Sequence, residues 1–212
     1  METLIFIIEL IGTSAFAVTG VYAACQKGLD VFGALVLGCL TACGGGVLRD
    51  LLLGHTPPNL FLQPLYISVA AVTSVLTLAV LGVLGVHIKK HQAIIDRIVN
   101  FFDALGLAVF ALVGSQIAMQ AGHSGNAFLV ITVGVLTGIG GGMTRDVLCA
   151  SIPAVLHKRV YAIAAILGAA LYYWLSFTTL PDGWAMLLSA ALIITIRLLA
   201  TIFRWNLPHV RP

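Results

Sequence analysis

"GGGVLRDLLLG", residues 44–54, and "GGGMTRDVLCA", residues 140–150, decide how this chain is read. Each places three glycines in a row and follows them with an Arg-Asp pair, Arg49 with Asp50 and Arg145 with Asp146. Their surroundings are strongly apolar: 60% of the 212 residues are hydrophobic, 9% are charged and the mean hydropathy is +1.07. Soluble domains carry about 25% charged residues. Apolar runs long enough to cross about 30 Å of hydrocarbon as helices recur with short connections. They fall at about 3–25, 31–54, 64–86, 99–120, 127–149, 158–178 and 184–204. The expected fold is an all-α integral membrane protein of seven transmembrane helices, with residues 1–212 forming a single membrane domain.

The longest polar connection, "VHIKKHQAIIDRIVN" (86–100), is too short to bury a core of its own. The first apolar run carries Glu9 and lacks a basic leader, so it reads as a span and not as a cleaved signal. Lys27, Lys89, Lys90, Arg97, Lys158, Arg159, Arg204 and Arg211 fall in or beside connections on one side of a seven-span arrangement, and the other side's connections contain no Lys or Arg. Short basic loops are retained in the cytoplasm, which predicts the N-terminus outside and the C-terminus cytoplasmic. Cys25, Cys39, Cys43 and Cys149 lie in or at the ends of spans and read as small packing residues. His87 and His91 read as part of a solvated turn.

The chain repeats itself. "ELIGTSAFAVTG" (9–20) matches "DALGLAVFALVG" (103–114), aligning Glu9 with Asp103, Gly12 with Gly106, Phe16 with Phe110 and Gly20 with Gly114. "GGGVLRDLLLGHTPPNL" (44–60) matches "GGGMTRDVLCASIPAVL" (140–156). Repeat 1 is therefore 3–86 (helices 1–3) and repeat 2 is 99–178 (helices 4–6), with 184–204 an added bracing helix. Because three spans are an odd number, the second copy enters the membrane from the opposite face. Such inverted repeats recur in proteins that pass solutes near the bilayer midplane.

Gly44, Gly45 and Gly46, like Gly140, Gly141 and Gly142, fall near the middle of their spans. Each glycine costs a helix interior about 1 kcal/mol relative to Ala, so the second and fifth spans are expected to break there. Carbonyls freed by a break must line a polar cavity. Those of Gly44, Gly45, Gly140 and Gly141 could then serve as oxygen ligands for a monovalent cation. The alternative use of the triplets is close helix packing.

Charged residues inside spans are costly and face a cavity or a partner. Adjacent helical residues point about 100° apart, so Arg49 is not expected to neutralise Asp50, nor Arg145 Asp146. Glu9 and Asp103 are the expected partners for the arginines, by repeat symmetry. Their roles divide between tuning a pore and fixing helix register as buried ion pairs. Arg197 is expected to snorkel toward the cytoplasmic face or pair locally. Thr13, Ser14, Thr19, Thr41, Thr137 and Thr144 could offer hydroxyls to a polar path or bond their own backbone.

With these glycine triplets, Arg-Asp pairs and "GTSAFAVTG" and "GLAVFALVG" segments, the chain resembles the prokaryotic members of the trimeric intracellular cation (TRIC) channel family. That group is also classified as bacterial glycine-transporter-like membrane proteins with duplicated domains. The resemblance covers about residues 3–178 and the last span. It implies a homotrimer in the plasma membrane of a bacterium or archaeon, each protomer carrying its own pore for K⁺ or Na⁺. It also implies pore-lining bends at the two triplets, with the Arg-Asp pairs as associated polar groups. The animal members carry a Lys-Glu-Val motif in the fourth helix and bind an inositol phospholipid. Here that helix reads "FFDALGLAVFALVG" without a Lys, so lipid gating of that kind is not expected.

Two functions follow. One is a passive channel for monovalent cations. The other is a secondary transporter of a small zwitterion such as glycine. No nucleophile-base pair, metal cluster or phosphate loop points to an enzyme. The expected partners are the permeant K⁺ or Na⁺, membrane lipid and further copies of the chain. No cofactor or nucleic-acid partner is expected.

Overall fold

The computed structural model describes residues 2–84, 87–157, 160–203 and 205. The described elements are helical. They are α1 (Glu2–Gln26), α2 (Val31–Leu52), α3 (Asn59–Leu62), α4 (Leu65–Leu84), α5 (His87–Ala118), α6 (Ala127–Leu148), α7 (Ala154–His157), α8 (Val160–Leu175) and α9 (Asp182–Ile202). A π-helical turn, Met119–His123, ends α5.

The predicted spans map onto α1, α2, α4, α5, α6, α8 and α9. Six of these are long and apolar enough to cross a membrane, and α8 is a shorter apolar helix. Its 16 residues span about 24 Å, short of the hydrocarbon thickness.

Residues 87–100 are not the polar turn expected from their charge. They form the first part of the 32-residue α5, bent where His91 leaves helical geometry at φ −115° and ψ 19°. The reason lies in the period of the apolar residues between the charges. Ile95, Ile98, Val99 and Phe102 fall on one face and line a groove with Val18, Leu76 and Val80 of α1 and α4. The backbone of Lys89 and Lys90 lies in α5, whereas Lys158, Arg159, Arg204 and Arg211 lie outside the described residues.

Four helices form the centre. α1 packs on α2 and α5, α6 packs on α2 and α5, and the diagonals barely touch. The close approaches, Gly12 to Val109, Gly20 to Gly38, Gly45 to Gly141 and Gly114 to Gly134, make every neighbour in this ring antiparallel. α4 leans on α1 and α2, and α8 takes the corresponding place on α5 and α6, with α9 against α5 and α8. The outer faces present aliphatic and aromatic side chains suited to hydrocarbon, among them Val72, Leu76, Val83, Ile166 and Trp174.

Helix ends recur at equal spacing. Asp30 caps α2 by accepting the Gly33 N–H at 2.7 Å, and Asn126 caps α6 by accepting the Leu129 N–H at 3.1 Å. α2 closes with the His55 N–H on the Asp50 carbonyl, and α6 with the Ser151 N–H on the Asp146 carbonyl. The left-handed residue beyond each end is Gly54 in the first case and Ala150 in the second.

The glycine triplets do not break their helices, contrary to the sequence-based expectation. α2 and α6 keep helical geometry throughout. A Cβ on Gly45 would strike the Thr137 carbonyl, and one on Gly141 would strike the Thr41 carbonyl. The glycines thus let the two backbones touch where α2 and α6 cross. That contact offsets their low helix propensity. The carbonyls of Gly44, Gly45, Gly140 and Gly141 stay within continuous helices, and Gly140 O also accepts the Thr144 hydroxyl at 2.9 Å. They are not offered as cation ligands.

Candidate functional site

Arg49 and Arg145 each sit four residues beyond the glycine of closest crossing, Gly45 and Gly141. Because α2 and α6 are antiparallel, that spacing displaces the two arginines by about 6 Å in opposite directions along the bundle. Two charged clusters result, one on each side of the crossing.

In the first cluster, Arg49 Nε donates to Asp50 Oδ1 at 2.8 Å, and Nη2 lies 2.8 Å from the same oxygen. Adjacent residues therefore do pair, against expectation. The guanidinium is long enough to fold back around the helix end, and the Asp50 carboxylate is held beside it by a second bond. Asp50 Oδ2 accepts the Asn59 N–H, the first of α3, at 2.8 Å. Glu9 completes the cluster as expected, its Oε1 4.0 Å from Arg49 Nη1, and its other oxygen accepts the Tyr66 hydroxyl at 2.5 Å. Arg49 and Asp50 are 6% and 2% exposed, so these are buried charges held by protein partners, within a helix long and apolar enough to cross a membrane.

The second cluster repeats this construction. Arg145 Nε donates to Asp146 Oδ1 at 2.9 Å, Asp146 Oδ2 accepts the Ala154 N–H at the start of α7 at 2.7 Å, and Arg145 Nη1 donates to Asp103 Oδ1 at 3.0 Å. It also gains a partner that the first lacks. Arg197 Nη2 donates to Asp103 Oδ2 at 3.1 Å, and its guanidinium carbon lies 4.3 Å from the centre of the Tyr161 ring. Arg197 is 5% exposed. It turns inward, because the buried Asp103 carboxylate would otherwise have one oxygen without a cation.

Each cluster opens into a recess. One of about 50 Å³ is lined by Glu9, Thr13, Arg49, Asp50, Tyr66 and Phe110, and one of about 220 Å³ by Thr19, Tyr22, Gln26, Asp103, Arg145 and Asp146. Along α1, Phe16 falls between Thr13 of the first recess and Thr19 of the second, and it stacks on Phe110, which lines the first, with ring centres 5.4 Å apart. The two rings are 1% and 7% exposed and pack with Ala17, Ala42 and Ala70, an apolar layer among α1, α2, α4 and α5. Most hydroxyls considered from sequence turn to their own helices: Thr19, Thr41, Thr137 and Thr144 donate to Phe16, Leu37, Val133 and Gly140 carbonyls. Thr19 Oγ1 also accepts from Arg145 Nη1 at 3.0 Å.

A family model described as glycine transporter matches this chain over residues 6–81 and again over 100–176. Among solved structures, a TRIC trimeric intracellular cation channel orthologue from Rhodobacter sphaeroides is 30% identical, with a TM-score of 0.85 over 96% of this chain and 100% of that one. The chain belongs to the prokaryotic TRIC family. Another TRIC structure, from work on conductance through TRIC cation channels, is 34% identical with a TM-score of 0.81, covering 97% of each chain. A curated relative, the UPF0126 inner membrane protein YadS of Escherichia coli K12, is 36% identical over 205 residues, which are 96% of this chain and 94% of that protein. This TRIC-family chain is an integral membrane protein built on the all-helical TRIC fold.

The expected partners meet, Glu9 with Arg49 and Asp103 with Arg145, while the bond of each arginine to its adjacent aspartate was not expected. The stack of Phe16 on Phe110, the places of Tyr66 and Tyr161, and Arg197 beside Asp103 were not foreseen either. The signal for the phenylalanines was present, since they align across the repeat. Tyr66 and Tyr161 occupy equivalent positions in α4 and α8 at a similar offset. Arg197 has no counterpart, so no periodicity could have marked it.

Proposed function

We propose that the chain is a channel for monovalent cations, K⁺ or Na⁺, with one path through each protomer of a homotrimer. Its TRIC-family structural neighbours are cation channels by name. The observation that carries the reading is a pair of charged recesses whose α1 linings, Thr13 and Thr19, are separated by Phe16 in its stack with Phe110; we take that stack as the barrier between them. A dry aromatic constriction between two polar vestibules is a gate that works by excluding water. In this reading the path runs between the first recess and the second, closed at the phenylalanines, and Glu9, Arg49, Asp50, Asp103, Arg145 and Asp146 set its electrostatics. The glycine triplets contribute by fixing the α2–α6 crossing beside it.

The halves 3–86 and 99–178 act as inverted repeats in a seven-helix protomer, a reading supported by the duplicated clusters, caps and helix ends and by the two matches of one family model. The basic connections favour a cytoplasmic C-terminus and an external N-terminus in a bacterial plasma membrane.

Reconstitution in a planar bilayer tests the function. Unitary cation-selective currents in symmetric KCl, without any organic solute, are expected. Electrically silent membranes, together with counterflow of glycine into liposomes, would replace the channel with a zwitterion carrier.

A further inference from the structure

The two clusters match residue for residue until the last helix is added. Glu9, Arg49 and Asp50 carry one negative charge in excess. Asp103, Arg145 and Asp146 carry the same excess, but Arg197 of α9 cancels it. The difference is also chemical. The oxygen of Glu9 that Arg49 does not face accepts a neutral hydroxyl from Tyr66, whereas the corresponding oxygen of Asp103 accepts from the Arg197 guanidinium. Tyr161, at the position equivalent to Tyr66, lies under that guanidinium and still faces the Asp103 carboxylate, but among the described residues its hydroxyl closes no well-formed hydrogen bond. The second oxygen of Asp103 thus takes a charged donor where that of Glu9 takes a neutral one.

We propose that Arg197 is the residue that makes the two ends of the path electrically unequal. The Glu9 recess concentrates cations, the Asp103 recess does not, and current therefore passes more readily from the Glu9 side. The inference rests on the channel reading above. Farther out, Lys27, Asp96 and Arg97 add both signs at the rim of the second recess. Lys27 and Arg97 are solvent-exposed there and strongly screened. The cluster charges lie beside the barrier in a low-dielectric wall, where a single uncompensated charge has its largest effect on local ion concentration. Acting over several ångströms through water at 0.1 M salt, one such charge changes the local cation concentration by about 1.5- to 2.5-fold.

The test is single-channel recording in symmetric 0.1 M KCl, comparing the two voltage limbs, with Arg197→Gln and Glu9→Gln. The wild type is expected to rectify by about twofold. Arg197→Gln leaves Asp103 paired to Arg145, frees its charge, and is expected to raise conductance while reducing rectification. Glu9→Gln is expected to lower conductance and also reduce rectification. Both effects should shrink in 1 M KCl, which a purely structural role for Arg197 would not produce.

A trimeric Arg197→Gln protein with wild-type conductance and rectification overturns the proposal. Should that variant fail to assemble, Glu9→Gln decides: reduced rectification supports the asymmetry, and unchanged rectification refutes it. A wild-type protein that carries no cation current overturns the channel reading and this proposal with it. A conducting but symmetric wild type overturns this proposal alone.

Discussion

Gly45→Ala and Gly46→Ala differ by one position and should differ in sign. In a helix interior, each replacement gains about 1 kcal/mol of propensity. At Gly46 the nearest atom to an added Cβ, other than its local helix backbone, is Arg49 Nη2 at 3.9 Å, an ordinary contact. The propensity gain is therefore retained. At Gly45 the added methyl meets the Thr137 carbonyl, a backbone atom that cannot rotate away, so α2 and α6 must separate. Overpacking of this kind costs about 1–3 kcal/mol, and the lost backbone contacts across the crossing add about 0.5–1 kcal/mol. Gly45→Ala should thus destabilise by about 0.5–3 kcal/mol, as should Gly141→Ala against the Thr41 carbonyl, while Gly46→Ala stabilises by about 1 kcal/mol. For a chain of this size each kcal/mol moves the midpoint by about 2–4 °C. The assay is thermal unfolding of the detergent-purified protein, read as the fraction remaining assembled on size exclusion. If Gly45→Ala is as stable as Gly46→Ala, the triplets serve a weak helix and not a close crossing, and the packing argument fails.

Phe110→Ala should open the barrier and raise basal cation leak in a liposome flux assay, at a stability cost of about 3–5 kcal/mol; an unchanged leak in assembled protein would place the path elsewhere. Asp103→Asn strips the buried Arg197 of its carboxylate and leaves Arg145 with Asp146 alone, and should cost about 3–5 kcal/mol, visible as a lowered melting midpoint, whereas Glu9→Gln should cost far less. Asp50→Asn or Asp146→Asn should alter unitary conductance if these acids tune the path, and unchanged current through normally assembled protein would confine them to holding the helix ends. Ala150→Gly should stabilise by about 1 kcal/mol, because Ala150 is held at φ 48° where its counterpart is Gly54; an unchanged melting midpoint would count against strain at that turn.

The sequence carried the membrane class and the positions of the spans because hydrocarbon leaves little choice: an apolar run of sufficient length can only be a helix there. It carried the pairing of Arg49 with Glu9 and of Arg145 with Asp103 because a repeat constrains both at once. It misled at the glycines, since propensity measures a helix alone and the deciding contact comes from a second backbone about a hundred residues away. It misled at 49–50 and 145–146 because the rule that neighbours diverge applies to Cβ directions, and a guanidinium reaches well past its own Cβ. Residues 86–100 read as a polar connection by charge, yet the spacing of Ile95, Ile98, Val99 and Phe102 is that of a helix face. Of the two courses open to Arg197, snorkelling and pairing, the structure shows pairing, with an α5 carboxylate that repeat symmetry could not point to.

The meeting of Gly45 with the Thr137 carbonyl is mirrored by that of Gly141 with the Thr41 carbonyl, each glycine standing four residues beyond its helix's threonine. A surface that fits itself in this way is what a symmetric dimer uses. Because each helix presents the same glycine and carbonyl to the other, the seam has no spare side: a methyl added on either helix forces both apart.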